Sequence, residues 1–356
     1  MLRSFKRILN HIFIDGLSGM ALGLFSTLIV GTILSQLSSV VPGAFGNFLF
    51  VTGKVASLLT GAGIGCGVAH KYKSSPLVVV SAAVCGMVGG YAAQILGGNI
   101  VSGNAFSINA PGEPLGAFVG AYVGTVVGNL VSNKTKVDII ITPIVTIISG
   151  CIAGLLVGPP ISSFMKDLGG LIEWATVQHP FVMGMVISVL MGMFLTLPIS
   201  SAAIGVSLGL SGIAAGAATV GCCANMIGFA VSSYRENGFG GFLAQGLGTS
   251  MIQMPNIVRK PLIWVPAILT SAILGPVSTM LCKMTCNPVG SGMGTAGLIG
   301  PIMSFQTMCA DVSPTVALVL NVLMYFVLPA ALSLTISECM RKGKLISFGD
   351  MSLNSL

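Results

Sequence analysis

Apolar runs of about 20 residues recur along this chain, separated by short linkers that hold most of its Lys and Arg. That length lets an α-helix cross the hydrocarbon core of a bilayer. A water-soluble domain would need charge to cover its surface, about a quarter of its residues. Only 7% of these 356 residues are charged, and 54% are hydrophobic. Mean hydropathy is +0.96. The sequence therefore predicts an all-α polytopic membrane protein, a single membrane domain over residues 1–356. Candidate spans fall at 16–40, 44–69, 76–97, 112–132, 138–158, 180–198, 203–233, 238–257, 261–281 and 312–338, about ten transmembrane helices. Two further apolar stretches, 159–178 and 287–310, are interrupted by Gly and Pro and read as re-entrant or broken segments. The first turns at Gly158, Pro159 and Pro160, because proline lacks a backbone donor and restricts the residue before it. The second turns around Gly297, Gly300 and Pro301.

Charge sets the orientation. Basic groups lie at Arg3, Lys6 and Arg7, at Lys71 and Lys73, at Lys134 and Lys136, at Arg259 and Lys260, and at Arg341, Lys342 and Lys344. Ten crossings put all of these on the cytoplasmic side, with both termini, if each broken stretch returns to the side it entered. Lys54 and Lys283 are single exceptions near span ends, where a lysine snorkels. The residues before the first span read as a short amphipathic lead-in held at the inner surface. The net charge of +7 is thus a topology signal, and no nucleic-acid partner is expected.

Most of the nine cysteines lie inside apolar runs and read as small buried hydrophobes. Cys282 and Cys286 lack the further ligands of a zinc site, so no metal or other cofactor is expected. His11, His70 and His179 are far apart, with no nucleophile motif and no phosphate-binding loop, so no catalytic residue is assigned. Gly116, Gly120, Gly124 and Gly128 recur every fourth residue and predict a helix face that a neighbour approaches closely. "LGLFSTLIV" (22–30) and "MGMFLTLPI" (191–199) share Gly, Phe, Thr and Leu at equivalent places. In helices of opposite direction this is the pattern of an inverted repeat, with halves 14–175 and 180–340.

Irregular backbone at membrane depth is tolerated where it lines a cavity or is buried in protein. Polar side chains inside spans are costly and mark solute pathways. The candidates are Asn225, Gln245, Gln253, Asn256, Thr295 and Gln306, with Glu173 beside Trp174 in the first broken stretch. Amides and hydroxyls offer both donors and acceptors, which suits a neutral, sugar-like small polar solute. The plainer reading of each amide or hydroxyl is a bond to a neighbouring helix, and of Glu173 with Trp174 an interfacial anchor. The substrate-binding set is Glu173, Asn225, Gln245, Gln253, Thr295 and Gln306.

"DIIITPIVTIISGCIAGLLVGPPISSFMKDLGGLIEWA" (138–175) resembles the membrane subunit IIC of bacterial phosphotransferase-system sugar transporters, in which a similar helix ends in Gly-Pro and an amphipathic segment follows. Over its whole length the chain is similar to the IIC-like family that includes perfringolysin O regulator-type proteins. The resemblance implies a bacterial plasma-membrane permease, a homodimer, elevator-type movement of a sugar-binding unit, and separate IIA and IIB partner proteins, since neither domain is attached. The chain departs from the pattern in two places. Sugar-transporting members carry a Gly-Ile-Thr-Glu signature; the nearest stretch here is "GLIGPIMSF" (297–305), and Gly300 stands at the acid. Fructose-type members carry Asp-x-Gly-Gly-Pro; here Pro198 fits, but Phe194 replaces the Asp. Those departures weigh against phosphorylation of the solute and toward one alternative beside a transporter, a membrane sensor or regulator built on the same fold; the other alternative is a true phosphotransferase sugar permease subunit working with separate IIA and IIB proteins.

Overall fold

In hydrocarbon an unpaired backbone amide costs several kcal/mol, so apolar runs close their hydrogen bonds internally and become helices. The computed structural model describes residues 15–98, 100–102, 105–106, 108 and 112–353. The lead-in over residues 1–14, with Arg3, Lys6 and Arg7, lies outside the described residues. The described residues are mostly helical, with a two-residue ladder pairing β1 (Val101–Ser102) with β2 (Ala105–Phe106). Among the described residues, six helices are long and apolar enough to cross a membrane, or seven if the pair 44–58 and 60–71, bent by 57°, is one span.

Two compact units divide the chain, residues 1–164 and 165–355. The first contains α1 (Leu17–Leu24) and α2 (Val30–Val40), joined by a π turn, then α3 (Ala44–Leu58), α4 (Thr60–Lys71), α5 (Pro76–Gly90), α6 (Ala92–Leu96) and α7 (Pro114–Val131). Glycine sets its spacing, as the four-residue repeat predicts. A Cβ on Gly116 would stand 2.5 Å from the Gly89 carbonyl oxygen of α5, and one on Gly120 would stand 2.7 Å from that of Cys85.

α8 (Asp138–Thr176) is one helix of 39 residues with Pro143, Pro159 and Pro160 inside it. The turn expected at Gly158, Pro159 and Pro160 is therefore absent, and 159–178 does not form a re-entrant segment. Each proline forfeits one bond to the carbonyl four residues back, and the flanking turns of an apolar helix carry that loss.

The second unit is built around α11 (Gly212–Ser232), buried along nearly its whole length. α9 (Pro180–Thr196), α14 (Val265–Pro276) and α18 (Leu328–Lys342) pack on it. Its 17 buried residues include eight Gly or Ala, which brings these neighbours close. Gly221 lies under Ser188 of α9 and Gly228 under Ser333 of α18. Three stretches interrupt the helices. After α9 the chain bends at 197–200 and returns through α10 (Ser201–Ser207). Between α11 and α14 it runs through α12 (Tyr234–Leu243), a π turn Ala244–Gly248, a 3-10 turn Ser250–Gln253 and α13 (Met254–Arg259). Between α14 and α17 (Pro314–Val322) it runs through α15 (Pro288–Ser291), a 3-10 turn Ala296–Leu298 and α16 (Ile299–Met308). The span expected at 238–257 is thus a broken hairpin, while 287–310 is broken as its glycines predict.

Candidate functional site

The direction of each hairpin follows from which residues touch along α11. Gly216, near its start, meets Met284; Gly228, near its end, meets Ala267 and Ser333. The 233–260 hairpin therefore leaves and returns at the C-terminal end of α11, and 282–313 at the N-terminal end. They meet tip to tip: Thr295 donates its hydroxyl to the Gly246 carbonyl. The 197–200 bend joins the same place, since Ser201 Oγ donates to the Gly292 carbonyl at 2.6 Å. Three helix breaks thus converge inside one unit.

Backbone freed at a break needs partners, and here side chains supply them. The second tip closes through left-handed residues at Gly294 (φ 52°), Gly297 (φ 53°) and Leu298 (φ 61°). Glycine adopts this conformation freely, whereas a leucine does so at a cost of about 1–2 kcal/mol. The Gly300 amide bonds back to the Gly294 carbonyl at 3.0 Å. A Cβ on Gly300 would lie 2.4 Å from that carbonyl oxygen and 2.8 Å from Thr219 Cγ2. Where the resemblance places an acid, the backbone leaves no room for a side chain. Pro301 lies within the first turn of α16.

Asn225 is the centre of the junction. Its Nδ2 donates to Gly221 O at 3.1 Å and to Ser271 Oγ at 3.2 Å. Its Oδ1 accepts from Trp264 Nε1 at 2.9 Å and from Thr196 Oγ1 at 3.2 Å. Thr196 and Ser250 share a hydrogen bond of 2.8 Å, which ties the end of α9 to the first tip. Gly192 leaves space for the amide: a Cβ there would stand 2.3 Å from Asn225 Nδ2. No ionisable group takes part in these bonds. The junction is uncharged and rich in paired donors and acceptors, which suits exchange with hydroxyl groups of a neutral solute.

Of the six predicted substrate residues, the structure brings Asn225 and Thr295 to the junction. Gln245 and Gln253 are fully buried beside it, but they face a different partner. Gln245 Nε2 donates to Ser233 Oγ at 2.8 Å, and Gln253 Nε2 to Gln245 Oε1 at 2.9 Å and Met351 O at 2.8 Å. Asn256 Nδ2 donates to Gln253 Oε1 and to Ser352 O, both at 2.9 Å. This amide chain clasps the C-terminal segment. Glu173 and Gln306 are exposed on α8 and α16, apart from the junction. Neighbours decide this: Ile172 and Ala175 turn inward on α8, which leaves Glu173 and Trp174 outside. The sequence reading missed Thr196, Ser250, Trp264 and Ser271. Thr196 lay within the repeated nonamer, which was a usable signal.

In the first unit, Glu113 precedes α7 and its Oε1 has no hydrogen-bond partner. Burial pushes its carboxyl up to about 7.

Residues 14–353 match the family described as "Phosphotransferase system, EIIC". Comparison with curated proteins and with solved structures found no match.

Proposed function

The chain belongs to the phosphotransferase system EIIC family, and from that premise we propose that it is a membrane permease for a sugar-like, neutral polar solute. The observation that carries this is the meeting of two oppositely entering broken hairpins at the uncharged Asn225 junction. The solute enters by exchanging hydroxyls for the bonds that Asn225, Thr196 and Ser250 make to one another and for the one that Thr295 makes to the Gly246 carbonyl. The second unit is the moving, solute-binding part of an elevator, and the chain works as a homodimer in the bacterial plasma membrane with separate IIA and IIB proteins.

Eight crossings fit this reading better than ten. They are 17–40, 44–71, 76–96, 114–131, 138–161, 212–232, 261–281 and 314–342, with 180–211, 233–260 and 282–313 each returning to the side they entered. Lys71, Lys73, Lys134, Lys136, Arg259, Lys260 and Arg341 then share the cytoplasmic side, as the excess of basic residues there requires. An internal duplication is supported by two like contacts. Gly23 of α1 packs on the Gly63 backbone of α4, and Gly192 of α9 packs on the Gly221 backbone of α11.

The test is thermal stability of the purified protein against sugars, sugar alcohols, sugar phosphates and small acids. A ligand that binds only the folded state stabilises it by about 1.4 kcal/mol per tenfold excess over its dissociation constant. A neutral sugar or polyol shifts the wild type and fails to shift Asn225→Ala. Equal shifts in both remove the junction from the binding site.

A second reading, a membrane regulator on the same fold, is favoured by two features: the closed position at Gly300, and the amide chain that links the first hairpin to the C-terminal segment. It predicts that a deletion strain shows altered gene expression with normal solute accumulation. A phosphotransferase subunit predicts uptake that stops without phosphoenolpyruvate or without the IIA and IIB proteins.

A further inference from the structure

Two cavities lie side by side where α11 and α18, both apolar spans, reach their polar ends. One, of about 490 Å³, is lined by Val231, Tyr234, Arg235, Phe239, Phe242 and Leu334. Its floor is aromatic: Phe242 stacks on Phe239 with ring centres 6.4 Å apart and meets the edge of Tyr234 at 6.1 Å. Phe239 is 65% exposed, far more than packing inside the unit requires. The other, of about 410 Å³, is lined by Arg235, Arg341, Lys344, Ile346, Ser347 and Phe348. Arg235 borders both.

The second cavity is poised for an anion. Lys344 has no acidic partner among the described residues, and Arg235 is paired to Glu338 at 3.1 Å on an exposed surface. Such an exposed pair is worth little and exchanges readily for another oxyanion. Arg341 is held by Glu236 at 2.8 Å, and its buried Nε has no hydrogen-bond partner. An apolar slot beside a basic one, at the end of membrane-spanning helices, is the shape of an amphiphile with a negative head.

We propose that this paired cavity binds an anionic phospholipid. Its phosphate is held by Arg235 and Lys344, and an acyl chain lies over Phe239 and Phe242. A free phosphate would use only the basic half and leave the aromatic slot without a function. A zwitterionic lipid would bring its own cation against Lys344. Both slots draw on α12, the first arm of the hairpin that carries Gly246 and Ser250, so bound lipid holds that hairpin in place. The inference does not depend on which solute the junction takes, or on whether it takes one.

The experiment uses the full chain, delipidated in neutral detergent, with phosphatidylglycerol, phosphatidylcholine or inorganic phosphate added. Thermal unfolding midpoints are read, and bound lipids are counted by native mass spectrometry. Phosphatidylglycerol is expected to raise the midpoint with at least one lipid retained, while phosphatidylcholine and phosphate leave it unchanged. Arg235→Gln and Lys344→Gln each weaken phosphatidylglycerol binding by about fivefold, as for one juxtamembrane charge. Phe239→Ala weakens it without abolishing the preference for the anionic head. Arg235, Lys344 and Phe239 are exposed, and the midpoint of each variant without lipid checks that it folds. The proposal is overturned if the two lipids shift the wild type equally, if phosphate alone reproduces the shift, or if the double Gln variant keeps it. A dimer that forms through Phe239, and that lipid does not disperse, overturns it as well.

Discussion

Single residues decide what the junction can hold. Gly300→Glu would restore the acid of the sugar-transporting signature, yet the added atoms would press on the Gly294 carbonyl and Thr219. Overpacking of this kind costs about 1–3 kcal/mol, and the backbone contact puts it at the upper end of that range. The expected outcome is a protein that unfolds at lower temperature and gains no phosphorylation; a stable variant would mean that the tip opens easily. Trp264→Phe removes the donor to Asn225 Oδ1 and should cost about 1 kcal/mol in denaturant unfolding. Glu113 gives a pH signature. Its carboxyl stands at about 7 against an ordinary 4.5, so folding favours its protonated form. Stability from this group is complete below pH 4.5 and is lost as pH rises through about 7. Melting curves across that window should flatten in Glu113→Gln.

At the scale of the element, glycine and proline were read correctly in one broken segment and misread in two. The stretch 287–310 announces its break because Gly292, Gly294, Gly297 and Pro301 crowd ten residues. The stretch 159–178 has two adjacent prolines, yet its carbonyls are served well enough for one helix to run from 138 to 176. The 233–260 hairpin passes for a span because its apolar content matches one. Its five glycines from Gly238 to Gly248, with Gln245 and Gln253, were the overlooked signal. The amides themselves were recognised as significant, but sequence cannot tell whether a buried amide faces a solute or a neighbouring segment. Here Gln253 and Asn256 face residues 351 and 352. Gln253→Ala leaves Gln245 Oε1 without its donor and the Met351 carbonyl with Asn237 Nδ2 alone, at 2.9 Å. It should raise hydrogen exchange at the Met351 amide and cost about 1–3 kcal/mol in stability. Unchanged exchange at Met351 would show that the clasp rests instead on Glu236, whose Oε2 accepts the Met351 amide at 2.8 Å, and on Asn237, whose Nδ2 donates to the Met351 carbonyl at 2.9 Å.

At the scale of the whole molecule, composition was enough to predict a helical membrane protein, because so few charges cannot cover a surface in water. The number of crossings was not legible, since a hairpin that returns and a helix that crosses are equally apolar. The eight-crossing arrangement places Lys283 outside and Lys344 inside. With Cys282 and Cys339 replaced by Ser, Lys283→Cys should react with an impermeant maleimide added to whole cells, and Lys344→Cys should react only after the membrane is opened. Reaction of both from outside would sink the arrangement.

The clasp around Met351 also bears on how the protein is made. Gln253 and its partner Met351 are 98 residues apart. At roughly 5–20 residues per second, the ribosome delivers the second about 5–20 s after the first. Throughout that interval the hairpin's buried amides lack the carbonyls that finally satisfy them. The hairpin therefore enters the bilayer half-satisfied, held by water or by the insertion machinery, and is clasped only once residues 350–353 have been made and thread into place.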